Sequence, residues 1–360
     1  MKIFHCDHCE HLVFFENTQC VSCGHLLAFL PDLSEIGSLE DAGNNLWRSP
    51  LPAANDRAYR LCDNYRNTNV CNWAVESDDP NPLCISCRLT RITPDPSRPG
   101  HQEAWYRLEQ AKRRLVYTAM SLRLPLKSKF DDVERGLAFE FIADPLNPDD
   151  PPALTGHANG VISINVAEAD DAERERRRLA LYEPYRTLLG HFRHESGHYY
   201  WDRLVSGTDR LDRFRETFGD ERQDYAQALE AHYANGPAPD WQQRFVTAYA
   251  SAHPWEDWAE TWAHYLHMTD TLETAAACGV SLRPRRADEP SLKKVPASAG
   301  TRESPFDRLI DSWYPLTYML NSLNRGMGLA DAYPFVLPAP AVQKLRVVHE
   351  ITAGGDPERT

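Results

Sequence analysis

The run HFRHESGHYYW, residues 191–201, holds side chains that can bind a metal ion and use it. His194 and His198 are spaced i,i+4, so on a helix both imidazoles share one face and reach one ion. Glu195 follows the first histidine and would face a water held by that ion, ready to accept its proton. Two imidazoles leave the centre incomplete, because a catalytic zinc ordinarily has three protein ligands and one open position.

The search for a third ligand starts just downstream. The continuation HYYWDRLV lacks the Gly and His steps of metzincins, and Asp209 in SGTDR follows the helix in a turn that does not fit the aspartate-ligated zincins. The stronger stretch is YASAHPWEDWAETWAHYLH, 249–267. Pro254 suits the first turn of a helix. On that helix Glu256 and Glu260 share a face, so one carboxylate can bind zinc while the other accepts a hydrogen bond from a ligand ring N–H. Spacing alone leaves the order of the two acids open. Trp255, Trp258, Trp262 and Tyr265 would bury the rest of the helix, as Leu188, Leu189, Phe192 and Tyr199 would for the HESGH helix. Gly197 sits mid-helix, where glycine costs about 1 kcal/mol relative to alanine, which makes sense if another element must approach at the metal. Asp240 and Gln243 form a capping box for a helix over WQQRFVTAYA that ends near Ser251. Tyr249 then lies at the elbow into the Glu256 helix, within reach of the metal. His191, His264 and His267 read as packing or surface residues, and His157 as a substrate contact.

A second chemistry is concentrated at the N-terminus, where eight of the nine cysteines fall. Cys6, Cys9, Cys20 and Cys23 form two facing CxxC knuckles, which point four thiolates at one ion and leave no open position; this is a structural zinc ribbon. Cys62, Cys71, Cys84 and Cys87 form a looser second set, read as a second structural zinc, with exchange of ligands involving His5 or His8 as the competing arrangement. Cys278 stands alone and reads as a small apolar residue.

The chain has 360 residues with 42% hydrophobic and 25% charged content, ordinary for a globular protein with one large core or a few smaller domains. The formal charge of −13, with eight Lys/Arg against thirteen Asp/Glu in residues 1–100, has the wrong sign for binding nucleic acid nonspecifically. Apolar runs such as HLVFF and HLLAFL are too short to cross a bilayer. MKIFHCDHCEH has no apolar signal region, and metal-type cysteines fit a reducing compartment, so the expected location is the cytoplasm.

The proline-rich joint TPDPSRPG at 93–100 divides the chain into a cysteine module, 1–100, and a second domain, 101–360. Trp105, Leu108, Leu115, Ala119 and Leu122 predict an amphipathic helix after the joint, and LAFEFIA, 137–143, a strand. Asn159-Gly160 predicts a turn into VISINV, a half-buried strand that offers an edge to an extended peptide. ADDAERERRR opens a charged helix with Asp170–Arg174 and Glu173–Arg177 pairs. The HESGH helix is expected from about Tyr185, mostly helical chain to about 278, a loop at 281–303, a last helix at about 305–324, and a tail, YPFVLPAPA.

HESGH followed by a helix with ExxxE resembles the gluzincin metallopeptidases, the thermolysin group. It is more similar still to the catalytic domain of anthrax lethal factor, in Gly197, Tyr249, Glu256 and Glu260. That resemblance implies Glu256 as third ligand, Glu260 as the acid supporting a ligand histidine, and Tyr249 as a phenol that stabilises the oxyanion. From the cysteine module through CNWAVESDDPNPLC, EQAKRRLVY, HESGH and WEDWAETW, the chain resembles a bacterial family of zinc-ribbon zinc metallopeptidases. The expectation is therefore an α+β protein: a zinc-ribbon module, then a mainly helical zincin-like domain with a small antiparallel sheet. The expected function is hydrolysis of peptide bonds through a metal-activated water with Glu195 as general base. The expected cofactors are one catalytic and two structural zinc ions. Expected partners are a peptide or protein substrate and a protein docked on the ribbon, with no nucleic acid and no membrane. The alternative is a non-catalytic adaptor built on the same folds.

Overall fold

The computed structural model describes residues 1–145, 147, 151, 153–180, 187–282 and 302–355. The cysteine module begins with a two-stranded hairpin, β1 (Phe4–His5) and β2 (Leu12–Val13). An antiparallel five-stranded sheet follows in sequential order: β3 (Leu26–Leu30), β4 (Glu35–Gly43), β5 (Leu46–Arg48), β6 (Ala58–Leu61) and β7 (Ala74–Glu76). The short helix α1 (Asp63–Arg66) lies between the last two strands. Strand β8 (Thr90–Ile92) precedes the proline joint yet pairs with the second domain, beside β9 (Ala138–Ile142).

Helix α2 (His101–Ser121) is the seam between the two parts. Trp105, Leu108, Leu115, Ala119 and Leu122 are buried as their spacing predicts, but so are Glu109, Lys112, Arg113 and Thr118. The helix is not amphipathic in use, because its polar side is covered by the cysteine module and, at Lys112 and Thr118, by Phe139, Phe141 and Asp270 of the second domain. Arg114 bonds Glu16, the Tyr117 hydroxyl accepts from the Lys2 backbone N–H, and Arg113 bonds the Val70 carbonyl. Glu109 and Lys112 form a 2.8 Å ion pair with no exposed side-chain surface. Buried charge of this kind persists only when paired.

The second sheet has the order β10–β11–β9–β8, with β10 at Gly156–Ala158 and β11 at Val161–Asn165. Asn159 and Gly160, both at positive φ, make the tight turn that joins β10 to β11. Only that edge pair is antiparallel; β11–β9 and β9–β8 are parallel. Ile162 and Ile164 are fully buried, as their alternation predicts. The VISINV strand is not the open edge, however. It is flanked on both sides, and the hairpin makes β10 the edge.

Helix α3 (Asp171–Ala180) follows; Arg174 pairs with Asp171 at i,i+3 rather than with Asp170, Glu173–Arg176 and Glu175–Arg178 are further i,i+3 pairs, and the expected Glu173–Arg177 pair rests on a side chain outside the described residues. Helix α4 (Leu188–Leu204) is capped by Thr187, whose hydroxyl accepts from the Gly190 N–H at 3.0 Å; an earlier start near Tyr185 falls outside the described residues. Next come α5 (Leu211–Phe218), α6 (Tyr225–Asn235), α7 (Trp241–Arg244) and α8 (Pro254–Ala277).

The helix expected over WQQRFVTAYA stops after the single turn of α7. Asp240 makes no side-chain cap, and Phe245 turns extended so that Val246 is buried and Phe245 packs under the Lys344 ammonium. Tertiary packing therefore overrides the local helix signal. Helix α9 (Phe306–Gly326) matches the predicted last helix, but the tail forms a further helix, α10 (Ala339–Gly354), with proline in its first turn. Most of the loop expected at 281–303 lies outside the described residues. Cys278 is exposed, not packed. No described helix is long and apolar enough to cross a membrane.

Candidate metal centre

Helices α4 and α8 come together at Gly197. A Cβ there would sit 2.8 Å from the Ala259 Cα and 3.2 Å from the Trp262 Cβ, so only glycine permits this approach. Two indoles secure it: Trp258 Nε1 donates to the Gly197 carbonyl at 2.9 Å, and Trp262 Nε1 to the Ser196 hydroxyl at 3.1 Å. Pro254 is the first residue of α8, and His253 caps it by accepting from the Trp255 N–H.

The contact faces Glu256 to the two histidines. Its Oε2 lies 3.0 Å from His194 Nε2 and its Oε1 3.5 Å from His198 Nε2, and one ligand atom from each of the three residues lies within 4.8 Å of the others. Donors about 2.1 Å from a tetrahedral zinc are about 3.4 Å apart, so the cluster has the right size. His194 Nδ1 faces Glu260 Oε1 at 2.6 Å, and Thr247 donates to Glu260 Oε2 at 2.7 Å. If Nδ1 carries the ring proton, Nε2 presents a lone pair to Glu256 Oε2, a buried oxygen that receives no hydrogen bond among the described residues. Two acceptors at this distance repel unless a cation or proton lies between them, which fits a metal ion. Burial opposes charge on both groups, yet Glu256 and Glu260 hold His194 well above its ordinary pKa, and His194 and His198 hold Glu256 well below its own.

The cluster forms the floor of a cleft of about 410 Å³ lined by Glu195, Tyr249 and Trp255, with His157 and its neighbours on β10 as one wall. Tyr249 occupies a one-turn helix, Tyr249–Ser251, immediately before α8, and its ring centroid is 5.9 Å from that of His194. Burial and then Glu256 push its phenol far up, so it stays a hydrogen-bond donor. The His157 ring lies 6.3 Å from that of His198, with Nε2 accepting from the Gly160 N–H. Asp209 is exposed in its turn, away from the cluster. His264 bonds the Tyr333 hydroxyl, His267 the Arg193 guanidinium, and His191 faces Glu168. Sequence reasoning missed Tyr225, whose hydroxyl donates to Glu256 Oε1 at 2.6 Å, and Thr247. Neither lies on a periodic pattern that could have marked it.

All eight N-terminal cysteines converge as two groups of four. The sulfur pairs Cys6–Cys23, Cys9–Cys20 and Cys71–Cys84 are 3.7, 3.6 and 3.8 Å apart. Four sulfurs about 2.3 Å from a tetrahedral zinc are about 3.8 Å apart, whereas a disulfide needs about 2.05 Å. His5 and His8 are exposed and belong to neither group, and His8 stacks on His25. At the second group, burial and then the neighbouring thiols push Cys84 well up, so the thiolates need a compensating cation.

The two cysteine groups and the His194–His198–Glu256 cluster are the donor sets of a zinc ribbon and of a separate zinc-binding centre. The chain belongs to the family described as "Putative zinc-binding metallo-peptidase", which matches residues 101–351, and a zinc-ribbon domain family matches residues 3–98. It is 43% identical over 352 residues to uncharacterized proteins of Mycobacterium bovis and Mycobacterium tuberculosis, covering 98% of this chain and 95% of theirs. No solved structure matches, so the likeness to the lethal factor catalytic domain rests on the motif residues alone.

Proposed function

We propose that this protein hydrolyses peptide bonds with one zinc held by His194, His198 and Glu256. The observation that carries the reading is the convergence of these three residues within 4.8 Å on the floor of a cleft that Glu195 also lines. Zinc, when bound, would polarise the substrate carbonyl and acidify a water molecule.

Glu195 accepts the proton of the attacking water and passes it to the leaving amine. Tyr249, kept protonated, donates to the carbonyl oxygen as negative charge develops there. Glu260 fixes the His194 ring, with Thr247 fixing Glu260 in turn. The edge strand β10 offers backbone groups to an extended peptide, in place of VISINV. Two further zinc ions at the cysteine groups serve structure, for three in all. The cytoplasm, a peptide or protein substrate, and a protein partner on the ribbon complete the proposal. The acidic module gives no reason to add nucleic acid.

The test is cleavage of an unfolded protein mixture. Activity should vanish with a chelator and return with zinc. Cleavage indifferent to the chelator contradicts the proposal, and absence of cleavage by the zinc-loaded protein contradicts it and favours the adaptor.

A further inference from the structure

We infer that Tyr225 is a positioning residue that restricts Glu256 to one coordinating oxygen and ties helix α6 to the metal centre. The inference rests on Glu256 as third ligand. The two oxygens of that carboxylate have different surroundings. Oε1 accepts the Tyr225 hydroxyl at 2.6 Å, a short charge-assisted bond. Oε2 is buried, receives no hydrogen bond among the described residues, and lies 3.0 Å from His194 Nε2. The free oxygen is the better donor to a metal, because the Tyr225 proton draws charge from the other. Coordination through both oxygens would crowd the position that a substrate carbonyl must take.

The element that brings Tyr225 to the site is unusual. Helix α6 has no buried residue, and Gly219 and Gly236, both at positive φ, lie on either side of it. Asp224 caps the helix by accepting from the Gln227 N–H, which makes Tyr225 its first residue. The Tyr225 ring packs on His253 and Trp255, and His232 packs on Tyr249. A helix with so little burial is held at the cleft by these ring contacts and by one hydrogen bond to a metal ligand. Metal loading and closure of α6 are then linked, and each favours the other.

The Tyr225→Phe variant removes the hydroxyl and keeps the ring, on a helix whose packing does not hold the fold together. In crystals of the zinc-loaded protein, Glu256 should bind through Oε2 alone, and in Tyr225→Phe through both oxygens. The affinity for the catalytic zinc should fall by about 10–100-fold, as is usual when a partner of a metal ligand is lost. Tyr233→Phe, on the same helix, should match the original protein. Zinc should slow amide exchange across residues 225–235 in the original protein and not in Tyr225→Phe. Coordination of the original protein through Oε1 or through both oxygens, or unchanged zinc affinity in Tyr225→Phe, overturns the inference. Retention of the catalytic zinc by Glu256→Ala would instead overturn the ligand assignment beneath it.

Discussion

Glu260 lies 2.6 Å from His194 Nδ1, while Glu256, one helical turn earlier, faces the Nε2 of the same ring. Two acids on one helix face thereby meet opposite nitrogens of one imidazole, as the proposed ligand and its support require. Glu256→Ala should abolish binding of the catalytic zinc, whereas Glu260→Ala should weaken it by about 10–100-fold. Metal analysis of the two purified variants checks this. If Glu260→Ala empties the site and Glu256→Ala does not, the roles are reversed.

Gly197→Ala separates helix propensity from packing. Propensity alone would raise stability by about 1 kcal/mol. The new methyl would press on the Ala259 Cα, a backbone atom that cannot swing away, and overpacking of this kind costs about 1–3 kcal/mol. The expected outcome is a lower thermal midpoint and weaker zinc binding, since Glu256 shares α8 with Ala259. A variant that melts higher and keeps its zinc contradicts the tight α4–α8 contact.

Arg113 is fully buried, and its guanidinium feels Cys71, Cys84 and Cys87 as well as Glu109. Four thiolates around one zinc carry net negative charge, so this cation balances the second cysteine group from within α2. Arg113→Met should lower retention of that zinc and destabilise the fold by about 3–5 kcal/mol, the usual cost of breaking a buried charge pair. Full metal content with an unchanged thermal midpoint would remove this role.

His264 supplies a pH dependence. Burial, set against Glu260 and reinforced by Arg193, lowers its imidazole from 6.5 to about 4. The unfolded chain then binds more protons than the folded one between these values. Its stabilising contribution is therefore complete above pH 6.5 and is lost as pH falls towards 4. Urea midpoints measured across this range should drop less in His264→Gln than in the original protein. Equal slopes would mean that His264 is not held neutral.

Much of the site was legible in the sequence because it depends on local spacing. His194, Glu195 and His198 sit on α4 as their helical spacing requires, and Pro254 opens α8 as its missing N–H favours. The eight cysteines assemble into the two expected groups. What failed depended on tertiary contacts. The Asp240 capping signal was outweighed by burial of Val246, and the polar face of α2, which local pattern assigns to solvent, is buried between the cysteine module at Val70 and the second domain at Phe139 and Asp270. The edge of the second sheet could not be read because strand order is set by pairing partners, and three-residue β10 carries too short a pattern to announce itself. Tyr225 went unseen for a related reason, since its partner Glu256 lies on another element.

Glu195→Gln decides the proposed chemistry most directly. The substitution keeps the size of the side chain and removes its ability to take a proton. Metal analysis and hydrolysis of an unfolded protein mixture should be measured on the same zinc-loaded sample, beside the original protein. The predicted result is unchanged zinc content with turnover lost to background. Retained hydrolysis at full zinc content would contradict the role of Glu195 and the peptidase mechanism built on it.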